Sequence, residues 1–157
     1  MGKVKAGGII QNSKLALVGV MAVPDKPGVA GAILNTLAQT GINVQFIAQL
    51  LDLEGNAHVV FCVDRDVRVT SLAVLDEVKE QIGAREITLR GEVAIVSIFG
   101  PDFRERPGIA GAMFNALAAV DVNILSISTS ISTVSCVIDH ADVTLAIEAL
   151  QEAFDLP

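Results

Sequence analysis

The chain has 157 residues, with 11 Lys and Arg against 18 Asp and Glu and a formal net charge of −7 at pH 7. That acidic balance, with no basic block and neither Tyr nor Trp to stack on bases, argues against nucleic acid as a partner. Apolar residues make up 52% of the chain and the mean hydropathy is +0.57, ample core for one ordinary domain or two small ones, with a surplus suited to a subunit interface.

In chain order, Ala6 to Gln11 is an apolar segment with no role in the unit that follows it. Leu15 to Val23 is a continuous apolar run suited to a central strand. It is too short to span a bilayer, and MGKVKAGGII lacks the longer apolar core of a signal peptide, so no membrane partner and a cytoplasmic location are expected. Pro24 to Gly28 is turn chemistry, with Pro27 placed to open a helix from Gly28 to Gln39. Ile33, Leu34 and Leu37 form its buried stripe and Gly41 ends it. Asn43 to Asp52 reads as a strand, Glu54-Gly55-Asn56 as a hairpin turn and His58 to Val63 as the returning strand. Thr70 to Ile82 is a second helix, with Leu72, Leu75, Val78 and Ile82 at helical spacing, and Glu86 to Leu89 is a short fourth strand. This is the β-α-β-β-α-β order of a ferredoxin-like unit.

The order then repeats: strand Val93 to Phe99, helix Gly108 to Ala119, strand Asn123 to Ser128, a hairpin near Ser130 to Ser132, strand Thr133 to Ile138 and helix Asp142 to Phe154. The phrase DKPGVAGAILNTLAQTGINV at Asp25 to Val44 returns as ERPGIAGAMFNALAAVDVNI at Glu105 to Ile124, ungapped at an offset of 80. Generic amphipathic helices share apolar spacing, but not a Pro-Gly entrance and an Asn exit as well, so this is an internal duplication. Counted from Pro27 to Cys62 and from Pro107 to Cys136, the second hairpin is six residues shorter. The second unit has no fourth strand after its last helix, and Ala6 to Gln11 is available to supply one.

Cys62 in VVFCV and Cys136 in TVSCV read as repeat equivalents and as buried, reduced thiols, with a disulfide or metal site as the alternative. His58 and His140, the only histidines, have no metal-ligand spacing and read as structural. No phosphate-cradling G-x-x-x-x-G-K-[ST] run, no G-x-G-x-x-G and no nucleophile set is present, so neither catalysis nor a cofactor is expected. The G-x-x-G spacing of GVAG and GIAG is better explained by close helix packing than by phosphate binding.

The paired DKPGVAGAILNTLAQTGINV and RPGIAGAMFNALAAVDVNILSISTS segments resemble the tandem ACT domains of the regulatory region of aspartate kinases, over nearly the whole chain. The resemblance implies an α+β fold of two ferredoxin-like βαββαβ ACT units, antiparallel sheets with helices on one face. It also implies that a first unit, 12–90, is inserted into a second made of 3–11 plus 91–157. It further implies a non-catalytic sensor of a small amino acid, such as lysine or threonine, at an interface between ACT domains. Since 157 residues leave no room for an amino-acid kinase domain, any part in aspartate phosphorylation would be that of a separate regulatory subunit.

Physical chemistry makes such a site plausible independently. An amino acid's carboxylate suits the unpaired N–H groups and dipole of a helix start, here Gly28, Val29 and Ala30, or Gly108, Ile109 and Ala110, opened by Pro27 and Pro107. Its ammonium needs acceptors, for which Asp25, the side chain of Gln49, and the carbonyls of Asn43 and Val44 are candidates, with Asn123 and Ile124 in the matching places of the second unit. The plainer readings are that the Pro-Gly pairs only start helices, Asp25 and Glu105 only complement helix dipoles, and the asparagines only satisfy turns. Gln49 matches a glutamine of the family's first-unit strand. Where the family commonly has Gln-Asn this chain has Gln49-Leu50, and Ser128-Thr129-Ser130 is followed by Ile131 rather than Glu. These exchanges point to a more apolar amino acid, or to none. Three function classes follow: an amino-acid-binding homodimer joined through its ACT sheet edges, a ligand-free dimerising scaffold acting on a metabolic enzyme such as an aspartate kinase catalytic chain, and a small ferredoxin-like enzyme.

Overall fold

The structure, a computed structural model, describes residues 3–101 and 103–157. In chain order its elements are β1 (Val4–Lys5), β2 (Gly8–Pro24), α1 (Val29–Gln39), β3 (Phe46–Leu51), β4 (Asn56–Asp64), α2 (Arg68–Ile82), β5 (Glu86–Phe99), α3 (Ile109–Ala119), β6 (Ser126–Thr129), β7 (Thr133–Asp139), α4 (Val143–Ala153) and β8 (Phe154–Asp155). Residues Lys14–Glu92 form one compact unit, and the described residues on either side of it form another. The two divisions fall inside β2 and β5. Sequence patterning suggested a break within each of these stretches, but both run through as single strands. Gly91 keeps an ordinary backbone conformation, and Lys14, at φ 61°, kinks β2 without ending it.

In the Lys14–Glu92 unit the strand order is β3-β4-β2-β5. β4 pairs antiparallel with β2, from Leu15 opposite Asp64 to Val20 opposite Val59, and with β3, from Phe46 opposite Cys62 to Leu51 opposite Ala57. Side chains alternate across each strand, so Ala16, Val18 and Val20 of β2 share a face with Val59, Phe61 and Val63 of β4. Against that face pack Val29, Ile33 and Leu37 of α1 and Leu75 and Ile82 of α2, spaced as one stripe of a helix.

The other unit repeats the plan, with the order β2-β5-β7-β6. Ala94, Val96 and Ile98 of β5 and Val134, Cys136 and Ile138 of β7 face Ile109, Met113 and Leu117 of α3 and Val143, Ala146 and Leu150 of α4. The chain's first described residues are held at two places here. β1 pairs parallel with β8, Ala6 N–H donates to the Asp155 carbonyl at 3.0 Å, and Gly7 N–H donates to the Phe99 carbonyl at 2.7 Å. Patterning extended the last helix to Phe154. In the structure Phe154 is extended instead, burying its ring in the core while its backbone pairs with Val4.

The duplication holds atom for atom at the helix starts. Gly28 and Gly108 both take the left-handed conformation, at φ 96° and 91°, and each carbonyl accepts the N–H four residues on at 2.9 Å. The two cysteines, however, are not equivalents. Cys136 belongs to the helix-side core, whereas Cys62 lies between Phe61 and Val63 and points to the opposite face, across from Leu17 and Phe46. A one-residue offset reverses the face of a strand residue, so the shared Val-x-Cys-Val spelling misleads. The GVAG and GIAG spacing also has a different cause from the expected one. A Cβ on Gly31 or Gly111 would meet nothing within 4 Å among the described residues, so close packing inside the unit does not require glycine there.

Two glycines three residues apart should therefore respond in opposite directions. Gly28→Ala forces an L side chain into left-handed backbone and should destabilise by about 1–2 kcal/mol. Gly31→Ala, with open space and ordinary backbone, should stabilise by up to about 1 kcal/mol. Urea unfolding of the two variants measures both.

Candidate functional site

The lead-in to α1 is the most exposed backbone turn that opens a helix in the Lys14–Glu92 unit. Pro24, Asp25, Lys26, Pro27 and Gly28 are all exposed, Val29 is buried beneath them and Ala30 is half-buried. No side chain caps α1 and no acidic residue occupies its first turn. Its first N–H groups thus lack intrahelical acceptors, and no carboxylate in that turn offsets the positive end of the helix dipole. Beside it lies a cleft of about 210 Å³, lined by Lys26, Pro27, Gly28, Val29, Ala32, Gln81 and Ile82. The arrangement offers an ammonium, an uncapped helix start and an apolar floor, a combination suited to a small carboxylate.

Of the residues singled out from sequence, Pro27, Gly28 and Val29 come together at this cleft, and Asp25 stands in the same loop, its N–H donating to the Gly55 carbonyl at 3.2 Å. Asn43 is exposed and Val44 packs on the edge of the core. Gln49 is exposed on β3, opposite Val59. None of these three lines the cleft. In the other unit Pro107 and Gly108 are exposed, Ile109 is buried, Ala110 is half-buried, Asn123 is exposed and Ile124 packs on the core, the same pattern residue for residue. Sequence reasoning passed over Lys26, although it sits next to Pro27. It also passed over Gln81, whose place depends on α2 packing beside α1 and has no local signal.

His58 was read as structural, and the geometry gives it a definite task. β2 carries a bulge between Val20 and Val23, with Ala22 at φ 54°. The displaced Ala22 N–H donates to His58 Nδ1 at 3.1 Å, and His58 Nε2 meets Asp52 Oδ2 at 2.8 Å. An accepting Nδ1 leaves the proton on Nε2, facing the carboxylate. Asp52 Oδ1 accepts the N–H groups of Glu54 and Asn56 at 2.8 and 3.0 Å. These donors, the Asn56 N–H first and the imidazole second, hold the Asp52 carboxyl below its ordinary pKa of 3.8.

β3 is the edge strand of its sheet; Ile47, Leu50 and Leu51 are exposed along it, and Leu53, in the turn after it, is exposed completely. An open strand edge lined by apolar side chains is a template for pairing with another chain. Among the described residues there is no cluster of three or more metal-ligating side chains, and no helix is long and apolar enough to cross a membrane.

Comparison with known proteins agrees with this fold. An ACT-domain family model matches residues 18–83, and a second ACT-domain model matches residues 96–154. Two ACT domains, one per unit, are thus the class that the fold defines. The aspartate kinase of Pseudomonas putida is 38% identical over 149 residues, covering 95% of this chain but only 36% of that protein. The crystal structure of aspartokinase alpha and beta subunits contains a chain that is 36% identical with a TM-score of 0.86, covering 94% of this chain and 97% of that one. The regulatory subunit of aspartate kinase from Thermus flavus is 31% identical with a TM-score of 0.88, covering 96% of this chain and 99% of that one. The chain belongs to the family of tandem ACT regulatory regions of aspartate kinases. It spans about a third of the length of the full aspartate kinases it matches.

Burial pushes both thiols up to about 12, leaving almost no thiolate at neutral pH. Cys62 and Cys136 should remain unlabelled by a thiol reagent at pH 8 in the native protein, and both should react on unfolding. Native labelling of either would contradict its burial.

Asp52 also contributes to the acid side of stability. Because its folded pKa is lowered, its contribution is complete above the unfolded value near 3.8 and is lost as pH falls through the folded value. Asp52→Asn should flatten the pH dependence of the urea midpoint below about pH 4.

Proposed function

We propose that this chain is a non-catalytic regulatory protein that binds a small amino acid where ACT units of two copies meet, and that it acts on an aspartate kinase catalytic chain as a separate subunit in the cytoplasm. The observation that carries this reading is the uncapped start of α1 above a carboxylate-sized cleft that contains Lys26. Asp25, Pro27, Gly28, Val29, Ala30, Asn43, Val44 and Gln49 form the proposed ligand set. Pro107, Gly108, Ile109, Ala110, Asn123 and Ile124 form its counterpart in the second unit.

Two further features support it. Gly31 and Gly111 weaken exposed helical turns with no packing reason inside their own units, which fits a helix surface approached closely by something outside them. The apolar edge of β3 fits a homodimer joined through sheet edges, and a Gln49 on that strand would then lie beside the second copy. Leu50 and Leu51 favour an effector with an apolar side chain. That same edge supports a second reading, a dimerising scaffold that binds no amino acid and works through the catalytic chain alone.

Thermal unfolding against the twenty amino acids at millimolar concentration separates the two readings. A ligand bound only to the folded state at a hundred times its Kd contributes about 2.7 kcal/mol, a shift of several degrees. One or two amino acids should produce it. A flat panel would leave the scaffold. With the effector in hand, Gln49→Ala should weaken binding about tenfold without lowering stability, as measured by calorimetric titration. Unchanged affinity would remove Gln49 from the site.

A further inference from the structure

We infer that His58, held by Asp52, is a positioning residue for the lead-in loop of α1, and that the β3–β4 hairpin grips this loop at two points. The first grip is the imidazole on Ala22: the Ala22 N–H, displaced from the ladder by the bulge, ends on His58 Nδ1 at 3.1 Å. The second is the hairpin's own backbone, where the Gly55 carbonyl accepts the Asp25 N–H at 3.2 Å. Between the two grips the ladder resumes, with Val23 opposite Ala57 and Pro24 opposite Asn56.

The strand pairing alone does not fix this path. Ala22 sits in left-handed backbone that a non-glycine residue adopts at a cost of about 1–2 kcal/mol. Removing the bulge would slip Val23 and Pro24 by one residue and turn the chain toward α1 from the opposite face. His58 compensates for the bulge, because it gives the Ala22 N–H displaced there an acceptor. Asp52 determines which nitrogen accepts: its carboxylate accepts a hydrogen bond from Nε2–H at 2.8 Å and leaves Nδ1 bare. Asp52 is itself fixed by the Glu54 and Asn56 N–H groups, so the hairpin tip, the imidazole and the loop form one chain of hydrogen bonds. The β6–β7 hairpin of the other unit contains no histidine, so the two repeats hold their helix starts differently.

This inference rests on the reading of the lead-in loop as part of the amino-acid site, and its test does not need the ligand. Amide NMR spectra and hydrogen exchange of the full chain would be compared for wild type, His58→Leu, His58→Gln and Asp52→Asn. In His58→Leu the Ala22, Asp25 and Gly28 amides should shift, and Ala22 exchange should accelerate about tenfold or more, while Leu75 in the core is unchanged. His58→Gln, whose amide offers an acceptor and a donor with imidazole-like separation, should restore the wild-type loop shifts. Asp52→Asn keeps the imidazole but presents an N–H to Nε2. It should move the proton to Nδ1, visible in the imidazole nitrogen shifts, and release Ala22, which provides the reading even if His58→Leu fails to fold. If Ala22 is released while Asp25 and Gly28 keep their wild-type shifts, or if His58→Gln restores nothing, the positioning role is overturned. A flat amino-acid panel with the loop shifts as expected would remove the ligand reading and leave the grip standing.

Discussion

The register of β4 against β2 is the constraint on which the Lys14–Glu92 unit depends. With a side-chain period of two, it decides together which residues form the face that α1 and α2 cover, which nitrogen of the ladder is displaced at Ala22, and where the chain leaves the sheet for α1. Val59, Phe61 and Val63 make the register costly to change from within, since a slip by one would expose all three. At its far end, where Val23 and Ala57 are still buried but the bulge displaces a backbone N–H, polar groups share the task. The hydrogen-bond chain from Asp52 through His58 to Ala22 thus continues by direction what the core does by volume.

The helix starts show the same division between packing and polar chemistry. Val29 and Ile109 bury the first turn, and Pro27 and Pro107 precede it, yet neither helix gains the side-chain cap that would satisfy its leading N–H groups. A capped helix would be more stable by about 1 kcal/mol. Both copies are left uncapped behind a left-handed glycine that carries no Cβ, so their leading N–H groups have no side-chain partner. α2 and α4 lack side-chain caps as well, so the left-handed glycine, rather than the missing cap, is what sets the starts of α1 and α3 apart.

Much of the fold was legible because duplication doubled the signal. Pro-Gly at 27–28 and 107–108, the stripe at Ile33 and Leu37, and the β-branched runs of the central strands identify each element without ambiguity. The failures came where local spelling is silent. Nothing in Arg90-Gly91-Glu92 says whether a strand ends or passes through, and Phe154 reads equally well as the last turn of a helix or as an extended core residue. The two cysteines were paired by their neighbours' identity, but face is set by register with β2 and β5, which lies outside the local sequence. At the site, the helix start was legible from Pro-Gly. Lys26, Gln81 and the His58–Asp52 pair were not, since their meaning arises only when α2 packs beside α1 and the hairpin folds back on the bulge.

Leu50 and Leu51 on an edge strand, with Leu53 in the turn after it, give the chain an exposed apolar margin. A copy whose β3 is uncovered presents a row of backbone groups flanked by leucines, the arrangement from which ordered aggregates grow. A lysine in place of Leu50 or Leu51 would interrupt that row with charge and lower the tendency.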